Sequence, residues 1–149
     1  SNEAIVTIDG DGQNNPRDIP KLITKFFSEE NIKLVGGLRI RRQDSLSKKI
    51  ASKLANKIRM KILKDECRDT GCSLKVFDRN IFLNFNFFSG IHRFLPALFK
   101  GFGYKTVFLE VDHRKRNFGL SKYGNFSRLI RGIIDLIRVY YVINNKKNK

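Results

Sequence analysis

Tryptophan is absent from this chain, methionine occurs once, proline three times and cysteine twice. The two thiols, Cys67 and Cys72, stand five residues apart with no His or Cys companions at ligand spacing. That excludes a structural zinc site and a disulfide framework, and it fits reduced thiols in a cytoplasmic protein. Long hydrophobic runs are also missing. No stretch reaches the roughly 20 apolar residues a membrane span needs, and no signal peptide opens the chain, so a non-integral polypeptide is expected. Acid is scarce too: 14 Asp and Glu face 30 Lys and Arg in 149 residues, a formal net charge of +16. Such an excess points to anionic partners, whether phosphorylated ligands, acidic lipid surfaces or nucleic acid, without choosing among them. The length suits one domain with its own core.

Where acid is rare, its placement carries information. The run Ala4-Ile5-Val6-Thr7-Ile8 reads as a short buried strand that ends in Asp9 and Asp11, one residue apart and flanked by Gly10 and Gly12. On residue chemistry alone this is either a solvated Asp-Gly turn or a pair of hard oxygen ligands at the carboxyl end of a strand, suited to Mg²⁺ or Mn²⁺. Gln13 lies within reach of the same ion.

Beyond the turn, Asn15 is placed to cap and Pro16 to start a helix whose apolar stripe is Ile19, Leu22, Ile23, Phe26 and Phe27. Residues 33–38 read as a second strand delivering Arg39, Arg41 and Arg42, whose rigid forks suit phosphate oxygens and serve equally as a solvated basic loop. A helix from Asp44 or Ser45 to Leu63 repeats Leu46, Ile50, Leu54, Ile58 and Ile62 every fourth residue, beside a parallel row of Lys49, Lys53, Lys57 and Lys61. That lysine row is either a solvated face or a contact for anionic headgroups. Asp69 falls in a polar turn before a strand at 73–77, and Gly90 to Phe99 reads as a helix with His92 and Arg93 near its start. A strand at 104–111 delivers a basic loop with Arg114, Lys115, Arg116 and Lys122.

The last helix, Phe126 to about Ile143, sets Arg128, Arg131, Asp135 and Arg138 on a narrow charged stripe amid apolar residues and ends in a basic tail. This pattern describes a helix lying in a membrane interface or docking on an integral membrane partner, the alternative being a helix packed on the domain's own sheet.

Four segments in order carry a resemblance: Asp9-Gly10-Asp11-Gly12-Gln13-Asn14-Asn15-Pro16, Gly36-Gly37-Leu38-Arg39 with Arg42, Arg68-Asp69-Thr70-Gly71-Cys72-Ser73-Leu74-Lys75, and His113 to Gly124. Together they resemble family 2 glycosyltransferases, in the dolichyl-phosphate mannose synthase-like, polyprenyl-phosphate glycosyltransferase branch, over nearly the whole chain. The resemblance implies an α/β fold, a fragment of the Rossmann-like glycosyltransferase A fold with a mostly parallel sheet, helices on both faces and a C-terminal amphipathic helix. It divides the chain into a catalytic part, residues 1–125, and an interface helix with its tail, residues 126–149. It also implies a nucleotide-binding half upstream, with a strand ending near a Pro-x-Tyr-Asn-Glu-like sequence, that has no counterpart here.

The activity implied is inverting transfer of a sugar from a nucleotide-sugar donor, GDP- or UDP-linked, to a polyprenyl phosphate at the cytoplasmic face of an anionic membrane. In that reading Asp9, Asp11 and Gln13 hold the metal, and Asp69, Arg39 and Arg42 are catalytic. Arg93, Arg114, Arg116, Ser121 and Lys122 bind substrate phosphates. Two other readings stand beside it: a basic nucleic-acid-binding domain, and a non-catalytic glycosyltransferase fragment. The first explains the charge but sets Asp9 and Asp11 at the ligand end, where a nucleic-acid backbone is repelled, so no nucleic-acid partner is expected.

Overall fold

The computed structural model describes residues 3–40, 46–114 and 125–147. Four strands, β1 (Ala4–Thr7), β2 (Ile32–Arg39), β3 (Lys75–Asp78) and β4 (Lys105–Val111), form one sheet in the order β1-β3-β2-β4. Each lies within two residues of the span its sequence pattern predicts. The pairing is mixed: β2 and β4 are parallel, whereas β3 is antiparallel to both of its neighbours. Strands β1, β2 and β4 therefore share one direction, and β3 is inserted against it.

The reason lies in the connection between β2 and β3. A crossover helix would bury an apolar stripe on the sheet and return the chain to the opposite end. Helix α2 (Leu46–Leu63) does otherwise. Its inward residues include Asn56 and Arg59, and Ile50, Leu54, Ile58 and Ile62 are exposed, by 58%, 59%, 50% and 39%. The chain thus re-enters the sheet at the end where β2 stopped. The described part of the four-residue apolar repeat therefore faces outward, not into the core.

Strand alternation splits the interior into two cores. On one face α1 (Ile19–Phe27) buries Leu22 and Phe26 against Ile32, Val35, Leu74, Val76 and Val111. It is entered through a 3-10 turn, Pro16–Asp18, capped by the Asn15 side chain, which accepts from the Arg17 amide at 3.2 Å. On the other face α4 (Leu95–Gly101) and α5 (Asn125–Lys147) cover Leu34 and Phe77, with Phe99, Val139 and Ile143 among the buried side chains. Helices therefore flank both faces, as expected.

Three local details depart from the sequence pattern. The segment 90–99 is not one helix but a 3-10 turn, Ile91–Arg93, followed by α4, because Gly90 is left-handed at φ 96° and Pro96 starts a new helix. A short helix, α3 (Arg79–Leu83), follows β3, capped by Asp78, whose Oδ1 accepts from the amides of Asn80 and Ile81. On α5 the charged stripe is divided: Asp135 is buried, and Arg138 lies over the Phe88 ring at 5.2 Å.

Candidate active site

Because β3 runs against its neighbours, its beginning lies beside the ends of β1 and β2. Ser73, just ahead of β3, ties the acidic turn down. Its Oγ accepts from the Asp9 amide at 3.0 Å and from Asn14 Nδ2 at 2.7 Å, and its carbonyl accepts from Thr7 Oγ1 at 2.7 Å. Asp11 turns Oδ1 back onto the Gln13 amide at 3.1 Å, an Asx-type closure of the loop. From the far side, the segment after β4 closes on the same turn. Asn14 and His113 form an antiparallel bridge, the Arg114 amide donates to the Gln13 carbonyl at 2.9 Å, and the Gln13 and His113 Nε2 atoms are 3.4 Å apart.

Arg39 and Asp69, both singled out by sequence, meet. Arg39 donates from Nε to Asp69 Oδ2 and from Nη2 to Oδ1, both at 2.7 Å, and its backbone amide reaches Oδ2 at 3.3 Å. Gly71 makes room for this pair, since a Cβ there would lie 2.7 Å from Arg39 Nη2. The Asp69 turn is also fastened to α2, where Asn56 donates to the Arg68 carbonyl and Thr70 donates to Asn56 Oδ1, each at 3.0 Å. A shallow pocket beside the pair is lined by Arg39, Lys53, Asn56, Arg68 and Asp69. Gly36 and Gly37 are both buried. They accommodate neighbouring side chains: a Cβ on Gly37 would lie 2.8 Å from Cys72 Sγ and 2.9 Å from Val111 Cγ2.

Lys75 adds a cation that sequence inspection did not single out. Only 3% exposed, it donates to the Cys72 carbonyl; burial pulls its pKa down, while Cys72, Cys67, Asp69 and Asp9 pull the other way. His92 is held below its usual range by desolvation and then by Arg93 and Lys75, with Asp9 and Asp135 opposing. These mutual influences put the 3-10 turn Ile91–Arg93, the buried lysine and the acidic turn in one electrostatic neighbourhood. Arg93 pairs with Asp135 of α5, Nη2 to Oδ2 at 3.8 Å.

Of the other predicted positions, Arg114 is exposed, and Arg42, Arg116, Ser121 and Lys122 lie outside the described residues. Ser73, Asn14 and His113 were not among the predicted site residues. The available signal was their position inside three of the quoted motifs. Among the described residues no three His, Cys, Asp or Glu side chains gather as a self-sufficient metal cage. The donor set on the acidic turn, two carboxylates and a carboxamide, still suits Mg²⁺ or Mn²⁺. Such ions commonly take one or two protein carboxylates and complete their shell with water and substrate phosphates.

A mixed α/β sheet flanked by helices on both faces, with acidic and basic motifs gathered at one end, is the architecture of a glycosyltransferase A fold. The solved structure of glucosyl-3-phosphoglycerate synthase from Mycobacterium tuberculosis, in complex with Mn²⁺ and UDP-glucose, superposes with a TM-score of 0.62 at 20% identity, over 91% of this chain and 49% of that one. Among named proteins, the chain is 35% identical over 144 residues to a dodecaprenyl-phosphate galacturonate synthase of Rhizobium johnstonii, covering 95% of this chain and 42% of that protein. It is 35% identical over 135 residues to an undecaprenyl-phosphate 4-deoxy-4-formamido-L-arabinose transferase of Pectobacterium carotovorum, covering 91% of this chain and 40% of the relative. The chain thus spans about two fifths of the length of these curated relatives. No family model matches it.

Proposed function

We propose that this chain is part of a metal-dependent, inverting glycosyltransferase that moves a sugar from a nucleotide-sugar to a polyprenyl phosphate at the cytoplasmic face of a membrane. The observation that carries this reading is the similarity to two transferases named for polyprenyl-phosphate chemistry, which runs through 95% and 91% of the chain. The gathering of the acidic turn and the Arg39–Asp69 pair at one end of the sheet agrees with it.

In the proposed reaction a phosphate oxygen of the acceptor forms the new bond to the sugar's anomeric carbon. The bond from that carbon to the nucleoside diphosphate breaks, its electron pair leaving with the diphosphate. A divalent ion bound at this turn would supply positive charge against the leaving diphosphate. Asp9, Asp11 and Gln13 are the residues that would hold it. An acceptor phosphate is largely ionised at neutral pH, with a second pKa of about 6, and needs little help from a base. Asp69, both of whose oxygens accept from Arg39, is accordingly assigned to orienting the site rather than to taking up a proton. Lys53 and Arg68, which line the pocket beside Asp69, supply cations around it.

No helix among the described residues is long and apolar enough to cross a membrane. The reading is therefore of peripheral association, through the exposed apolar face of α5 (Ile133, Ile134, Ile137, Tyr140 and Tyr141) and the outward row of α2. An integral membrane partner docking on the same face would use the same residues.

The test is transfer of radiolabel from a panel of UDP- and GDP-sugars to undecaprenyl phosphate by the full-length protein. Product should form with Mn²⁺ or Mg²⁺, vanish with chelator, and fall at least about 100-fold in Asp11→Asn. Full activity in that variant would remove the metal role, and absence of product from every donor would remove the enzyme reading.

A further inference from the structure

Asp135 is the one acidic residue in α5. It is 7% exposed, on the inward stripe that also carries Val139 and Ile143, whereas the opposite side of the helix is apolar and open. A carboxylate in that setting needs a partner, and it has Arg93. The fit is close around Gly90, where a Cβ would lie 2.8 Å from Asp135 Oδ2 and 3.0 Å from Arg93 Nη2, and where φ is +96°. One turn further along α5, Arg138 covers Phe88. Helix α5 thus grips the 88–93 segment at both ends.

Arg93 is only partly satisfied by this grip. The Asp135 contact is 3.8 Å, longer than a hydrogen bond, Nε is buried without a partner among the described residues, and the side chain remains 38% exposed. A guanidinium carries five N–H donors in a fixed fork matched to carboxylate and phosphate. Here the fork is fixed at one side and has unused donors.

We infer that Asp135 is a positioning residue for the acceptor: from the apolar-faced helix α5 it sets the Arg93 guanidinium to receive a phosphate monoester carried by a membrane lipid. Seating α5 at the bilayer and seating the lipid phosphate are then one linked event, since the same helix presents Ile133 and Ile137 outward and Asp135 inward. The inference rests on the reading of Arg93 as a phosphate-binding residue given above.

The experiment is vesicle binding by the full-length protein, which needs no sugar donor. Phosphatidylcholine vesicles carrying a few mole per cent undecaprenyl phosphate are compared with vesicles matched in charge by phosphatidylglycerol. Wild type should bind the former more tightly, and millimolar inorganic phosphate should leave that preference intact. Arg93→Gln should erase the preference. Asp135→Asn should reduce it about five-fold or more while binding to phosphatidylglycerol vesicles stays unchanged, and Asp135→Glu should restore part of it. A merely structural role would lower both kinds of binding together. If Asp135→Asn does not fold, Gly90→Ala displaces the same pair without removing either charge and should show the same selective loss. Retention of the preference in Arg93→Gln overturns the phosphate reading itself. Its loss there, with Asp135→Asn and Gly90→Ala both at wild-type preference or tighter, overturns the positioning role alone. Competition by inorganic phosphate overturns the requirement for a lipid-borne phosphate.

Discussion

Arg39, the last residue of β2, and Asp69, thirty residues later, are joined by two parallel hydrogen bonds of 2.7 Å, with side chains only 12% and 9% exposed. At that depth, removing one partner strands the other charge, at a cost of about 3 kcal/mol, whereas removing both costs much less than twice that. Urea unfolding of Asp69→Ala, Arg39→Ala and the double variant should therefore show strong non-additivity. Effects that add within about 0.5 kcal/mol would mean the two are energetically independent.

The outward apolar rows of α2 and α5 are expected to act as one surface, since a groove lined by Lys61, Ile62, Leu136, Ile137, Tyr140 and Tyr141 runs between the two helices. Leu54→Asp with Ile58→Asp should weaken binding to anionic liposomes about ten-fold or more, and Ile133→Asp with Ile137→Asp should do the same. High salt should weaken wild-type binding only in part, because apolar insertion remains. If the α2 pair has no effect in a cosedimentation assay, α5 acts alone.

Gly37→Ala should destabilise the fold by about 1–3 kcal/mol, because the added methyl meets Cys72 and Val111 below 3.0 Å within the packed α1-side core. Thermal melting checks this, and an unchanged midpoint would show that β2 and β4 separate freely there.

Burial pushes the Cys67 thiol from 9.0 to about 11, ahead of the opposing pull of Arg59. The folded state holds this proton more tightly than the unfolded chain does. The associated stability is complete below pH 9 and drains away as pH rises towards 11, by up to about 2 to 3 kcal/mol. Comparing wild type with Cys67→Ala isolates the contribution from other alkaline groups. The stability difference should shrink across that window, and a flat difference would contradict it.

Much of the sheet was legible because each strand is a short β-branched or aromatic run ended by glycine or charge. The Asn15–Pro16 start of the first helix was legible because its cap is local. What sequence did not reveal depends on groups distant along the chain. A four-residue apolar repeat looks the same whether it faces a core or the outside. The direction of α2 is decided by Asn56 reaching Arg68 and Thr70 and by Arg59 reaching Asp65 and Cys67. Arg39 and Asp69 were each recognisable, but not their union. Asp135 was placed on a charged stripe, but its pairing was not legible because its partner, Arg93, lies in a different element. Ser73 passed unnoticed since its three contacts come from Thr7, Asp9 and Asn14, some sixty residues earlier.

That last separation has a consequence for the order of assembly. Among the described strands β1 pairs only with β3, and the Thr7–Ser73 bond closes 66 residues of chain. Contacts so far apart form late, after the intervening segment has lost its freedom. On a ribosome the acidic turn emerges among the first residues of this segment yet has nothing to fasten it until Ser73 and β3 have also emerged. The turn assigned to the metal therefore matures only after the Asp69 segment has been made, and a nascent chain stopped before that point would carry both aspartates without the scaffold that aims them.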